Sequence, residues 1–340
     1  MEYSSFFMHR IEEMFLCAEF ICLGDFINMV WILLVIGVLA AVFLWFSRFC
    51  YRMAFYSLNE KEQDIYAIPP GKQYEAVADQ MLELIYEVDQ LSYELISITA
   101  RDGLHLVGRY YHFKDNAPIQ ILFHGYRGNA KREFSGNNRI AMKLGFNVIV
   151  VDERAHGKSG GHTITFGIKE RYDCLDWANY AAERFGTDIP IILTGVSMGA
   201  ATVLMASSLP LPENVAAIIA DCPYSSPGDI IRKVSADVKL PPSLAYPFVV
   251  VGALLYGRFK LWESSPVKEV RKTRIPILLI HGEDDRFVPC EMSQKIYAAC
   301  TAMAELTIFP GAGHALSYFT DTPLYEKTVH QFLKLCNVCD

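Results

Sequence analysis

The stretch IILTGVSMGAATVLMASS (191–208) reads as a short apolar strand, a turn bounded by glycines, and a helix rich in small residues. At its centre Gly195-Val196-Ser197-Met198-Gly199 fits G-x-S-x-G. The strand before it and the helix after it supply the sharp turn that lifts a serine hydroxyl above the edge of a sheet. Glycine at 195 and 199 lets neighbouring backbone come close to a strained residue between them.

The same alternation extends outward. Short apolar runs recur at Ile119–Phe123, Val148–Val151, Ala216–Ala220, Ile277–Ile280 and Leu306–Phe309, with stretches such as Ile168–Arg184 and Met198–Leu209 between them long enough for helices. Apolar strands separated by helices describe a mostly parallel sheet covered on both faces, hence an α/β fold. Tyr93–Thr99 and Leu104–Tyr111 flank Asp102-Gly103 and predict an antiparallel hairpin at one edge. A helix is expected over Lys72–Gln90, where Val77, Met81, Leu84, Ile85 and Val88 recur at three- and four-residue steps. About fifty residues separate Asp221 from Ile277, and they include Pro223, Pro227, Pro241-Pro242 and the run FVVVGALLY (248–256). They predict a small helical cap, about 222–270, over the C-terminal edge of the sheet.

A serine needs a base to take its proton. His314 lies in the glycine-rich loop FPGAGH (309–314), and HGEDDRFVP (281–289) follows the strand ILLI with two candidate acids, Asp284 and Asp285. An acid there would orient the imidazole and stabilise the imidazolium. Serine, acid and histidine each follow a strand, at the edge where such sheets bind ligands.

From about Tyr93 to Leu335 the chain resembles the α/β-hydrolases, nearest to bacterial members of serine-aminopeptidase or prolyl-oligopeptidase type. The motifs that carry the resemblance are FHGYRGNA (123–130), VDERAHGKSGG (151–161), GVSMGA (195–200), HGEDDRFVP (281–289) and GAGHA (311–315). The resemblance places the acid at the fifth position of HG-x-x-D-x-x-V-P, which is Asp285, and it implies a catalytic set of Ser197, Asp285 and His314. It also implies an oxyanion hole made by the backbone N–H groups of Tyr126 and Met198.

The N-terminus carries a different signal. MVWILLVIGVLAAVFLWF (29–46) is 18 residues without a charge, nearly enough to cross a hydrocarbon core about 30 Å thick. Trp31 and Trp45 stand near its ends, where indole favours the lipid boundary. One arginine against five acids before it is not the basic n-region of a cleaved signal. The expected division is a tail (1–28), a transmembrane helix (29–47), a linker (48–71, with Pro69-Pro70-Gly71) and a hydrolase domain (72–340). Arg48, Arg52 and Lys61 follow the span and Arg10 alone precedes it, which places the hydrolase domain in the cytoplasm of a single-pass cell-membrane protein.

Other readings fall away. With 52% hydrophobic and 20% charged residues the chain is too apolar for disorder, and a net charge of −7 argues against tracking nucleic acid. The nine cysteines, an odd number, suit reduced thiols. Cys336-x-x-Cys339 has no partner pair for a zinc site, and His156 and His162 lie in a glycine-rich loop without a ligand set. His124 and His281 suit structural hydrogen bonds. Gly157-Lys158-Ser159 lacks the earlier glycine of a phosphate loop, since that position is Asp152. Asp221 is a minority candidate for the acid, and Arg154 with Glu170 a candidate ion pair under the nucleophile loop. The expected activity is metal- and cofactor-free hydrolysis of an ester, thioester or amide, with a small-molecule or lipid ester first and a peptide second. An inactive membrane scaffold is the third reading, although no member of the catalytic set is missing.

Overall fold

The computed structural model describes residues 2–58 and 64–339, with only the helical course for residues 2–27; residues 59–63 of the expected linker and most side chains of the tail lie outside the described residues. Eight strands form one sheet: β1 (Glu94–Thr99), β2 (His105–Tyr111), β3 (Ile119–Phe123), β4 (Asn147–Asp152), β5 (Ile191–Val196), β6 (Val215–Asp221), β7 (Ile277–Gly282) and β8 (Ala304–Phe309). Their order is β1-β2-β4-β3-β5-β6-β7-β8. β2 pairs antiparallel with β1 and β4, and every other pairing is parallel. The hairpin at Asp102-Gly103 thus forms the antiparallel edge expected of it.

The apolar runs are continuous because both faces of the sheet are covered. Ile121, Ile149, Val151 and Leu193 pack on one side with Trp177, Ala200 and Leu204; Leu122, Val148, Val150 and Ile192 pack on the other with Leu84, Phe134 and Phe332. The chain leaves β3 toward β4 on one side and reaches β5 on the other. A crevice therefore opens beyond the C-terminal ends of β3 and β5, where ligands bind in such sheets. The loop after β3 and the turn after β5 flank it.

The helix expected over 72–90 is broken in two, Lys72–Glu75 and Ala78–Asp89. The long interval after β6 is helical, with Pro227–Asp237 and Pro242–Gly252, the latter continuing as a wide turn over Ala253–Gly257.

The N-terminal helix runs from Glu2 to Ala54. It therefore continues past residue 47 into the stretch expected as linker, because its last turns have a packing partner. Tyr51 and Phe55 join Phe166, Met198, Tyr224, Val249 and Phe259 in a third apolar cluster. Tyr51 Oη is 2.7 Å from Thr163 Oγ1, and Ile164 N–H donates to the Phe55 carbonyl at 2.8 Å. Between Asn28 and Ala54 the helix is long and apolar enough to cross a membrane, with a mean hydropathy of 2.8.

Candidate active site

Ser197 occupies the turn between β5 and the helix Met198–Ala206 with φ 54° and ψ −110°, a conformation that costs a non-glycine residue energy. The surroundings hold it there. Ser197 N–H donates to the Asp221 carbonyl at 2.8 Å. A Cβ at Gly199 would run into the Phe123 carbonyl, and one at Gly195 into the backbone of Gly199. The two glycines of the motif are therefore required by close approach of backbone.

Ser197 Oγ lies 3.1 Å from His314 Nε2, and His314 Nδ1 lies 2.6 Å from Asp285 Oδ2. Three loops after three strands thus converge on one hydrogen-bonded chain. Asp285 Oδ1 accepts from the Phe287 and Val288 amides at 2.9 and 2.8 Å. Burial pushes this carboxyl up, but hydrogen bonds from His281, His314 and the Val288 amide outweigh it and hold the group well below the usual carboxylate range. Asp284, the other candidate, is exposed. Asp221 accepts from Tyr325 Oη at 3.0 Å instead of meeting His314, and burial raises its pKa to about 6. Cys222, Asp285 and His314 could jointly reach a metal ion, but burial raises the Cys222 thiol well above its ordinary value and the other two groups already bond each other.

The loop after β3 is tied down on all sides of Tyr126. Gly125 N–H donates to Glu133 at 2.5 Å, Arg127 N–H to His156 Nε2 at 3.0 Å, and Gly128 N–H to the Gly125 carbonyl at 3.0 Å. Among the described residues, no hydrogen-bond acceptor meets the amide of Tyr126 or that of Met198. Both residues border the same space as Ser197. His124 bonds the Gly125 carbonyl through Nδ1 at 2.8 Å and receives the Glu153 amide on Nε2 at 3.1 Å. His281 bonds Ser293 and the Val288 carbonyl. Both are structural, as expected. The sequence reading gave Glu133 and His156 no part in this loop; Glu133 is ten residues past β3 and reaches Gly125 only because Asn129 caps the short helix Ala130–Glu133.

The expected Arg154–Glu170 ion pair does not form. Arg154 makes a bidentate pair with Asp173 at 2.5 and 2.6 Å and reaches Asp102 at 2.9 Å. Glu170 instead accepts from the amides of Thr165 and Gly167 and from the Thr165 hydroxyl. Both contacts steady the loop that carries His156.

Comparison with known proteins agrees with this architecture. A family model described as alpha/beta hydrolase fold matches residues 119–250, and one for a serine hydrolase family matches residues 247–316. The uncharacterized protein YqkD of Bacillus subtilis is 27% identical over 250 residues, 73% of this chain and 82% of the relative. Protein bem46 of Schizosaccharomyces pombe is 25% identical over 233 residues, 66% of this chain and 71% of the relative. An esterase of Pyrococcus furiosus superposes with a TM-score of 0.61 at 25% identity, covering 73% of this chain and 92% of the esterase. The chain has the α/β-hydrolase fold.

In this α/β-hydrolase fold two cavities meet at Ser197. One, of about 920 Å³, is apolar and runs between the N-terminal helix and the helical insertion, ending on Tyr126, Ser197 and Met198. The other, of about 440 Å³, is the more polar of the two; Ser197 and His314 border it together with Arg127, Arg132, Glu133 and Asn137, and with apolar side chains such as Met81, Phe287 and Phe319.

Proposed function

We propose that the protein is a membrane-anchored serine esterase. Its proposed division is an N-terminal tail, a membrane-spanning helix, a linker and a hydrolase domain with a helical cap. The reading is carried by one observation, the unbroken chain Ser197 Oγ–His314 Nε2, His314 Nδ1–Asp285 Oδ2 at the meeting point of an apolar and a polar cavity. His314 takes the Ser197 proton on Nε2 as Oγ bonds the ester carbonyl carbon, while Asp285 keeps the other ring nitrogen protonated. The amides of Tyr126 and Met198 receive the oxyanion, a donor of this kind being worth about 3 kcal/mol. The carbon–oxygen bond to the alcohol breaks and His314 passes its proton to the leaving oxygen. Water then adds to the acyl-enzyme through the same base and releases the acid, so that ester and water become acid and alcohol.

The test is hydrolysis of p-nitrophenyl esters from acetate to palmitate beside aminoacyl-p-nitroanilides by the full chain in detergent. Ester turnover is expected, and Ser197→Ala is expected to lower it by about 10⁶. Turnover of anilides alone would replace the esterase by a peptidase. Equal background from both folded proteins would leave the scaffold reading in its place.

A further inference from the structure

We infer that the N-terminal helix is itself a wall of the active site, and that the substrate is a single-chain amphiphilic ester. Its acyl chain lies between that helix and the insertion, and its polar alcohol lies in the second cavity. The inference rests on Ser197 being the nucleophile. Leu39, Val42, Phe43, Phe46, Cys50 and Met53 recur at three- and four-residue steps and face the apolar cavity from one side. By helical rise that stripe is about 20 Å long, and it leads toward Ser197. Val234, Leu244 and Phe248 of the insertion face it from the other side.

Which part of the ester enters which cavity follows from the chemistry. His314 must hand its proton to the leaving alkoxide, so the alcohol has to lie on the histidine's side. His314 borders the polar cavity and does not border the apolar one. Arg127, Arg132, Glu133 and Asn137 there suit a hydroxyl-bearing alcohol, and at about 440 Å³ against about 920 Å³ this cavity has half the room of the apolar one for a second acyl chain. The mouth of the groove points to the source of the substrate. The stripe lies within the segment apolar enough to span a bilayer. Val238 and Leu244 of the insertion, which also line the groove, are 61% and 63% exposed. An apolar chain would therefore pass from lipid into the groove without crossing water.

The experiment uses the full chain in phosphatidylcholine nanodiscs, with 1-acylglycerols from butyryl to oleoyl and a diacylglycerol as substrates. Val42→Trp fills the groove; Ala41→Trp adds the same bulk at an exposed neighbour outside it. The oleoyl-to-butyryl ratio of kcat/KM is expected to fall by about tenfold or more in Val42→Trp, since a hydrophobic pocket discriminates by about that factor per methylene. It is expected to hold in Ala41→Trp. Phe46→Ala, which widens the groove and cannot overfill it, should raise the preference for the longer chain. A ratio unmoved by Val42→Trp and Phe46→Ala, or diacylglycerol cleaved as fast as monoacylglycerol, overturns the inference. Labelling of the unaltered chain by a small fluorophosphonate separates the two levels. Absence of Ser197 labelling removes the esterase reading itself, whereas labelling with an unmoved ratio removes only the groove.

Discussion

The amides on both sides of Tyr126 are engaged elsewhere, which leaves its own N–H, the proposed oxyanion donor, without an acceptor among the described residues. His156 fixes the far side by accepting the Arg127 N–H on Nε2, and its Nδ1 bonds the Arg154 carbonyl at 2.9 Å. Nε2 can accept only while unprotonated, and burial pushes the His156 pKa down to about 3. We predict that His156→Ala lowers ester kcat by up to about 10² with little change in KM, because the oxyanion donor is misplaced while binding surfaces persist. His156→Gln, which can offer an oxygen to the same N–H, should recover part of the loss. A change in KM alone would exclude the positioning role. The sign of the pH effect is set by the unfolded chain, which takes up a proton near the ordinary histidine value while the folded site refuses it. His156 thus makes folding less favourable as pH falls from about 6.5 toward 3, at up to about 1.4 kcal/mol per pH unit. Acid unfolding of His156→Gln should be shallower over that window. The motif HG-x-x-D-x-x-V-P left Asp284 and Asp285 one residue apart, and backbone direction decides between them: Asp285 turns inward onto two loop amides, Asp284 outward.

The N-terminal helix meets the rest of the protein as an element with its end closed. The last carbonyls of a helix lack intrahelical donors. Here Tyr126 Oη donates to the Ala54 carbonyl at 2.9 Å and Arg127 Nη2 to those of Met53 and Tyr56 at 3.0 Å each. The residues that present the proposed oxyanion donor therefore also hold the end of the proposed membrane helix. Farther along, the helix Pro242–Gly252 packs against it closely. A Cβ at Gly252 would lie 2.6 Å from the Ser47 carbonyl oxygen, and the Phe248 ring meets Phe43 tilted and Phe46 edge-on, with ring centroids 4.7 Å from each. Gly252→Val should push the two helices apart and lower the thermal midpoint by several degrees, as a loss of about 1–3 kcal/mol would. An unchanged melting curve in detergent would mean that the two helices are not packed this closely. None of this contact was legible beforehand. An all-apolar helix shows no periodic face, so the stripe from Leu39 to Met53 could not be told from its lipid-facing neighbours.

At the scale of the whole molecule, Arg48 and Arg52 stand at the hydrolase end of the proposed span, while the tail before it carries a single arginine. From that asymmetry we propose that the hydrolase domain lies on the cytoplasmic side. Alkaline phosphatase fused to the C-terminus should then be inactive and a fluorescent protein fused there bright; active phosphatase would reverse the orientation. The sequence by itself determined the order of strands and helices, the hairpin edge and the strand–turn–helix at Ser197. Those features depend on local periodicity and on glycines whose space is set within a few residues. It also placed the proposed acid and base in two short loops, 281–289 and 309–314, because strand ends are visible as the ends of apolar runs. Tertiary structure alone decided that Arg154 pairs with Asp173 rather than Glu170, that Glu133 and His156 pin the Tyr126 loop, and that the N-terminal helix lines the cavity at Ser197. Each of these is a contact between segments far apart in the chain. Which partners meet there follows from how the sheet twists and where its covering helices come to rest, and the order of residues along the chain does not encode that locally.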